Sequence, residues 1–195
     1  MIRAKDFAHF ALCLSVVGVS SFLSACQTQA GIHVQSEESQ LEEEVAELEW
    51  LIEKLYGTFS FDAGAQPDWV GMESLFAQGA NFVAPIRDGG EAEVTGAAVF
   101  LASFKEWIES SPVGKTGLHE RVLDTRIDVF QNIAHAYVTF EGFVPGEECA
   151  QTLGLDSLQL VRDQGEWKLV SFSTQYSGSN LPMPQRFLER GQRME

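Results

Sequence analysis

Apolar residues recur at Leu41, Val45, Leu48, Ile52, Leu55 and Phe59, in alternating steps of four and three. That spacing predicts one face of a long amphipathic helix. Ser39-Gln40-Leu41-Glu42 has the form of a capping box and predicts its start. Glu42, Glu43, Glu44, Glu47 and Glu53 fall mostly on the solvated face, and Gly57 lies near the end. After the loop from Asp62 to Pro67, Asp68 is placed to cap a short helix from Trp69 to Ala77. Val99, Phe100, Phe104, Trp107 and Ile108 predict a third helix within Gly96 to Ser110, stopped by Ser111-Pro112.

The remaining pattern is that of strands. Asn81–Ile86 and Glu91–Val94 flank the turn Asp88-Gly89-Gly90. Longer runs follow over Thr116–Phe130, Ile133–Val144, Thr152–Arg162 and Trp167–Tyr176, the last two separated by Asp163-Gln164-Gly165. The segment Ser177–Glu195, with Pro182 and Pro184, reads as a strap over the domain. Helices followed by long strands predict an α+β fold, with about three N-terminal helices on one face of an antiparallel sheet. Strong curvature of that sheet over the long helix would make a cone-shaped barrel, with a ligand site at its open mouth.

The N-terminus follows a different pattern. Arg3 and Lys5 precede an apolar run from Phe7 to Leu23, and Leu23-Ser24-Ala25-Cys26 follows. A positive start, an apolar stretch and small residues before a cleavage point describe a secretory signal. The run is short for a membrane span and is broken by His9, Ser15, Ser20 and Ser21. Cys after Leu-Ser-Ala resembles the bacterial lipobox. The resemblance implies a signal peptide over 1–25 and lipidation of Cys26. Gln27 after it, where Asp marks inner-membrane retention, points to the outer membrane facing the periplasm. Polar residues through 26–40 then read as a flexible tether, with the folded domain over 41–189 and a tail over 190–195.

The chain's net charge is −15. Loss of residues 1–25, with Arg3, Lys5 and Asp6, removes one net positive charge and leaves −16. Such a surface argues against nucleic acid and against electrostatic docking on anionic lipid, so the membrane would be held through the Cys26 anchor alone. Cys149 would be the remaining thiol, which excludes an internal disulfide. The sequence contains no G-x-S-x-G elbow, Walker loop, Rossmann glycine pattern or C-x-x-C pair.

Several segments together resemble one superfamily. They are Asp68-Trp69 with Leu75-Phe76, Asn132-Ile133-Ala134-His135-Ala136, Gly154 through Asp163, and Glu166-Trp167-Lys168-Leu169. The chain is similar over about residues 44–189 to the nuclear-transport-factor-2-like superfamily, which includes SnoaL-like domains. Its pattern is nearest to a group of uncharacterised bacterial proteins. The resemblance implies a cone-shaped α+β barrel, often dimeric through the outer sheet face, but not one activity. The ketosteroid isomerase branch places a general-base Asp before a Pro in its first strand; here Ala84 precedes Pro85. Leu153, Asp156 and Thr174 also depart from the nearest group's pattern.

Strand alternation assigns Ala134, Ala136, Val138 and Phe140, with Asp156, Leu158 and Leu160, to the interior. It assigns His135, Tyr137, Thr139, Glu141, Ser157 and Gln159 to the outer face, expected to be a dimer surface. A buried Asp156 would have a raised pKa suited to acid or base work, or would brace the sheet. Glu120 corresponds to the Glu of the group's Phe-x-Glu-Arg pattern. It would pair with a base or point into the cone, with His119 as an assistant. Tyr56, Trp69, Phe82, Trp107 and Phe140 are the candidate pocket lining. No metal or other cofactor is expected, since His119 and His135 sit on separate strands without ligand spacing. The leading expectation is a non-catalytic, membrane-tethered domain binding a small apolar ligand or a periplasmic protein. An isomerase- or hydrolase-like enzyme using Glu120 or Asp156 as base is the alternative, and a structural envelope protein the third reading.

Overall fold

The computed structural model describes residues 26–86, 90–178 and 181–188, and of 26–37 only the backbone. The signal segment 1–25, part of the Asp88-Gly89-Gly90 turn and the tail beyond 188 lie outside these residues. Helix α1 spans Cys26–Phe59, and α2 (Trp69–Ser74), α3 (Ala97–Ser110) and α4 (Val113–Thr116) follow. The strands are β1 (Phe61–Asp62), β2 (Phe76–Val83), β3 (Val94–Gly96), β4 (Gly117–Phe130), β5 (Ile133–Phe143), β6 (Thr152–Asp163) and β7 (Glu166–Tyr176).

The sheet order is β1-β4-β5-β6-β7-β2-β3, a curved sheet that does not close. The fold is α+β, as the pattern of elements predicts. All pairs are antiparallel except β2 with β7, which is parallel. Register shifts at Val122/Asp124 in β4, at Gln159/Leu160 in β6 and at Phe76/Asn81 in β2 bend the sheet around the core. The β6–β7 turn has positive φ at both Gln164 and Gly165, the geometry that matches strand twist in a two-residue hairpin.

One expectation needs correction at the N-terminal side. The backbone is helical from Cys26 onward, so Ser39 to Glu42 lies inside the helix and does not start it. Intrahelical bonding of the acidic run, not a side-chain cap, continues the helix there. Leu41 is 47% exposed, while the buried face widens to Leu48, Leu51, Ile52, Leu55, Tyr56 and Phe59. Asp68 does cap α2, accepting from the Gly71 N–H at 2.9 Å. No described helix is long and apolar enough to cross a membrane.

The core forms between that face of α1 and the inner residues of the sheet. Ala134, Ala136, Val138 and Phe140 of β5, Leu158 and Leu160 of β6, and Leu169 and Phe172 of β7 are all buried there. The expected interior set is therefore the observed one. Arg162 ties α1 to the sheet, reaching Glu47 at 2.9 Å and Glu44 at 3.5 Å while stacking over Trp167.

Candidate functional site

Alternation along the strands places a small group of ionisable side chains at one end of the inner surface. Glu120 lies opposite Gly142 and shares its face with Val122, which packs on the core. Asp156 lies between Val138 on β5 and Thr174 on β7. Tyr176 lies opposite Gly154. From the helix side, Tyr56 reaches down to Asp156. Ser60 fixes the junction: the Glu120 N–H donates to its Oγ at 3.0 Å, and that hydroxyl donates to the Tyr56 carbonyl at 2.9 Å.

Asp156 is 1% exposed. The Tyr56 hydroxyl donates to its Oδ2, while Oδ1 is buried with no hydrogen-bond partner among the described residues. Burial raises the Asp156 pKa to about 7, against the pull of the Tyr56 bond and of the nearby Thr174 hydroxyl. Glu120 is only half-buried as a residue, yet its carboxyl has lost enough water to titrate at about 8, with the Asp156 charge adding to the effect. Loss of water also raises Tyr56 well above its ordinary value. Tyr176 rises to about 12 through desolvation and then through the Glu120 and Asp156 charges.

The rings around this group are Phe140, 5.4 Å from Tyr56 and 6.2 Å from Tyr176 between centroids. Phe140 lies flat on the backbone of Gly154, where a Cβ would stand 2.3 Å from the ring. Of the expected lining residues, Tyr56 and Phe140 border the carboxyls. Phe82 belongs instead to a packed set of rings, 3.8 Å from Phe100 and 5.1 Å from Phe172. Trp69 packs edge-on against Phe104 at 5.9 Å, and Trp107 stacks on Phe104 but is 45% exposed. These residues build the helix–sheet core and do not border the carboxyls.

His119 does not join the site. One residue before Glu120, it faces the opposite side of β4, 3.0 Å from Asp62 and edge-on to Phe143. Strand alternation forbids it from assisting Glu120. His135 is on the outer face as expected, 3.0 Å from Ser157 Oγ. Thr139 is an exception there: it is 2% exposed, because the C-terminal segment crosses it and the Phe187 carbonyl accepts its hydroxyl at 2.6 Å. No group of metal-ligating residues occurs among the described residues. A separate open groove of about 590 Å³ lies between α1 and β4, lined by residues including Glu49, Trp50, Glu53 and Asp124, away from the carboxyl pair.

Tyr176 is the member of the group that sequence reasoning missed. The alternation that put Phe172 inside also turns Thr174 and Tyr176 to that face, Tyr176 standing 44% exposed at the strand's end, so the signal was present in β7.

No family model and no curated protein matches the chain. Its structure is similar to those of NTF2-like and cystatin-like-fold proteins. An NTF2-like protein of unknown function from Pseudomonas putida is 12% identical and superposes with a TM-score of 0.54 over 67% of this chain and 84% of its own. A Nostoc punctiforme protein of unknown function with a cystatin-like fold is 11% identical, with a TM-score of 0.55 over 69% and 91%. A Streptomyces avermitilis protein of the NTF2-like family, provisionally described as a dehydratase, is 15% identical, with a TM-score of 0.53 over 69% and 97%. The domain has the nuclear-transport-factor-2-like fold.

Proposed function

We propose that the inner carboxyl pair is an acid–base site for a small molecule, taken up at the end of the sheet where Glu120 and Tyr176 reach solvent. The observation that carries this is Asp156: fully buried, bonded by Tyr56 on one oxygen, unpartnered on the other, and coupled to Glu120. A carboxylic acid kept neutral near pH 7 donates a hydrogen bond or a proton, and its ionised neighbour accepts one. With pKa values of about 7 and about 8, the pair is poised for proton transfer at neutral pH. The reading is an isomerase- or dehydratase-like reaction, with Glu120, which holds its proton to higher pH, as the donor and Asp156, which ionises first with the Tyr56 hydroxyl bonded to it, as the base. It departs from the ketosteroid isomerase arrangement, since Ala84 supplies no carboxylate. The non-catalytic reading draws on the interlocked rings of Phe59, Phe82, Phe100 and Phe172, which fill the neighbouring part of the cone. That packing favours ligand binding without turnover or a scaffold role.

The lipobox-like Leu23-Ser24-Ala25-Cys26 supports envelope attachment through a lipidated Cys26. Loss of detergent-phase partitioning in Cys26→Ser tests it.

Native mass spectrometry of the full chain, purified in detergent, tests the site. A co-purifying small molecule that disappears in Glu120→Gln and Asp156→Asn supports the reading. A clean chain whose two carboxyl carbons titrate below about pH 5 by NMR would sink it.

A further inference from the structure

Strand β4 has a long neighbour on one side only. β5 pairs with it from His119 to Phe130, whereas β1 pairs only with Gly117 and Leu118. Ser60 serves the next position, where the Glu120 N–H donates to its hydroxyl at 3.0 Å. Among the described residues no strand lies beside β4 on that side from Arg121 to Phe130, about 30 Å of chain at the rise of a strand. A strand edge of that length offers N–H and C=O groups to any extended chain, and proteins blunt such edges with bulges and charges. Both devices are present: the register shift at Val122/Asp124, and Asp124, Arg126 and Asp128 at alternate positions. They exclude a flat apolar strand but admit one that matches them in charge.

The open groove of about 590 Å³ lies at the start of this edge, with Val122 to Thr125 on one wall and Glu49, Trp50 and Glu53 of α1 on the other. Trp50 is 65% exposed there. Glu49, Glu53 and Asp128 are exposed and make no hydrogen bond or ion pair among the described residues. The basic residues of the edge are engaged, Arg121 with Glu141 and Arg126 with Asp124 at 3.5 Å, and Lys54 of α1 lies over the Trp50 ring at 5.3 Å.

We propose that this edge binds an extended, basic polypeptide segment of a partner protein as an added strand of the sheet. Main-chain bonds to β4 hold the segment, and its side chains, alternating between the two faces, select it. Basic residues on one face meet Asp128, which shares the outer side of β4 with Arg126. Those on the other face meet Glu49 and Glu53, where an apolar residue packs on Trp50, a residue type enriched among binding hot spots. The chain's net charge of −15 draws a basic segment and repels an acidic one. A second copy of this chain would bring the same uncompensated acids to the contact, which disfavours self-pairing. The proposal makes no use of the carboxyl pair and is independent of the acid–base reading.

The test is fluorescence anisotropy of the full chain in detergent with three labelled decapeptides. One alternates Lys and Val, one alternates Glu and Val, and the third is the Lys–Val peptide with every backbone nitrogen methylated, which keeps the charge and removes strand pairing. The Lys–Val peptide should bind about tenfold or more tighter than either of the others. Its binding should slow hydrogen exchange, read by NMR, at β4 amides between Thr125 and Val129. Glu49→Lys with Glu53→Lys, both at exposed positions, should keep the fold by circular dichroism and lose the preference for the basic peptide. Equal binding of the methylated peptide reduces the effect to charge attraction and overturns the proposal. So does equal or tighter binding of the acidic peptide, absence of binding, or unchanged exchange at the β4 amides. If those amides are already protected in a dimer of the chain alone, and exposed on its dilution, a second copy occupies the edge and the proposal falls.

Discussion

Tyr56 on α1 donates its phenolic hydrogen to Asp156 on β6, joining helix to sheet across the core and 100 residues of sequence. The bond satisfies the tyrosine and only half of the carboxyl. Removing the hydroxyl in Tyr56→Phe takes the Oδ2 partner from the buried Asp156 and leaves the Thr174 hydroxyl as its nearby donor, and an unsatisfied buried acceptor costs about 1–3 kcal/mol. Replacing both partners by apolar groups removes the penalty, so Tyr56→Phe with Asp156→Leu should recover most of the loss. Urea unfolding of the three chains at neutral pH measures this. A double variant less stable than Tyr56→Phe alone would contradict it.

The same pair sets a pH dependence. Glu120 and Asp156 both titrate higher in the folded chain than their ordinary 4.5 and 3.8. A group raised on folding binds its proton more tightly in the folded state. Its stabilisation is complete below the unfolded value and is lost as pH climbs through the folded one. Stability should therefore fall from about pH 4 to about pH 8 and level off above. At about 1.4 kcal/mol per pKa unit, Asp156 alone accounts for roughly 2–4 kcal/mol over that window. Glu120, half open to water, contributes less than its displacement implies. Denaturation midpoints at pH 5 and pH 8.5 should converge in Asp156→Asn, and partly in Glu120→Gln. An undiminished slope in both variants would place the cause elsewhere.

Much of this was legible in the chain. The three-and-four spacing from Leu48 to Phe59 and the alternation Ala134-Ala136-Val138-Phe140 identified both walls of the core, because burial imposes those periods. Asp156 stood out because it shares a face with Leu158 and Leu160. What alternation could not reveal was the Tyr56–Asp156 bond, which depends on where α1 crosses the sheet, or the start of α1, where a capping motif was overridden by helix continuing from Cys26. His119 was misread for a local reason: adjacency in sequence to Glu120 is opposition in space on a strand. Trp69 and Trp107 look like lining residues in composition, yet their rings pack with Phe104.

Gly154 has a specific role beside the site. Phe140 rests on its backbone, and a methyl group there would stand 2.3 Å from the ring. Gly154→Ala must move Phe140 toward Tyr56 or Tyr176. Overpacking of this kind costs about 1–3 kcal/mol. Because Phe140 walls the carboxyls, the variant should also lose any ligand that the parent retains. Thermal unfolding and native mass spectrometry of the same sample test both halves; unchanged stability would show that Phe140 has room to spare.

The outer face of the sheet is partly claimed by the chain itself. Phe187 is buried at 8% exposure, its carbonyl accepts from Thr139, and its ring lies 5.4 Å from Tyr137 with Arg126 and Arg186 alongside. A second copy docking there would have to displace this strap or fit around it, so the expected dimer must use the remaining outer surface or not form. Phe187→Ala should cost up to about 3 kcal/mol, the low end for a buried Phe, and should uncover Tyr137 and Thr139. If the strap stands in the place of a partner, the variant should shift from monomer toward dimer with rising concentration, read by light scattering. A parent chain already dimeric at low concentration, and unchanged by Phe187→Ala, would mean that the strap and the dimer interface occupy different parts of the sheet.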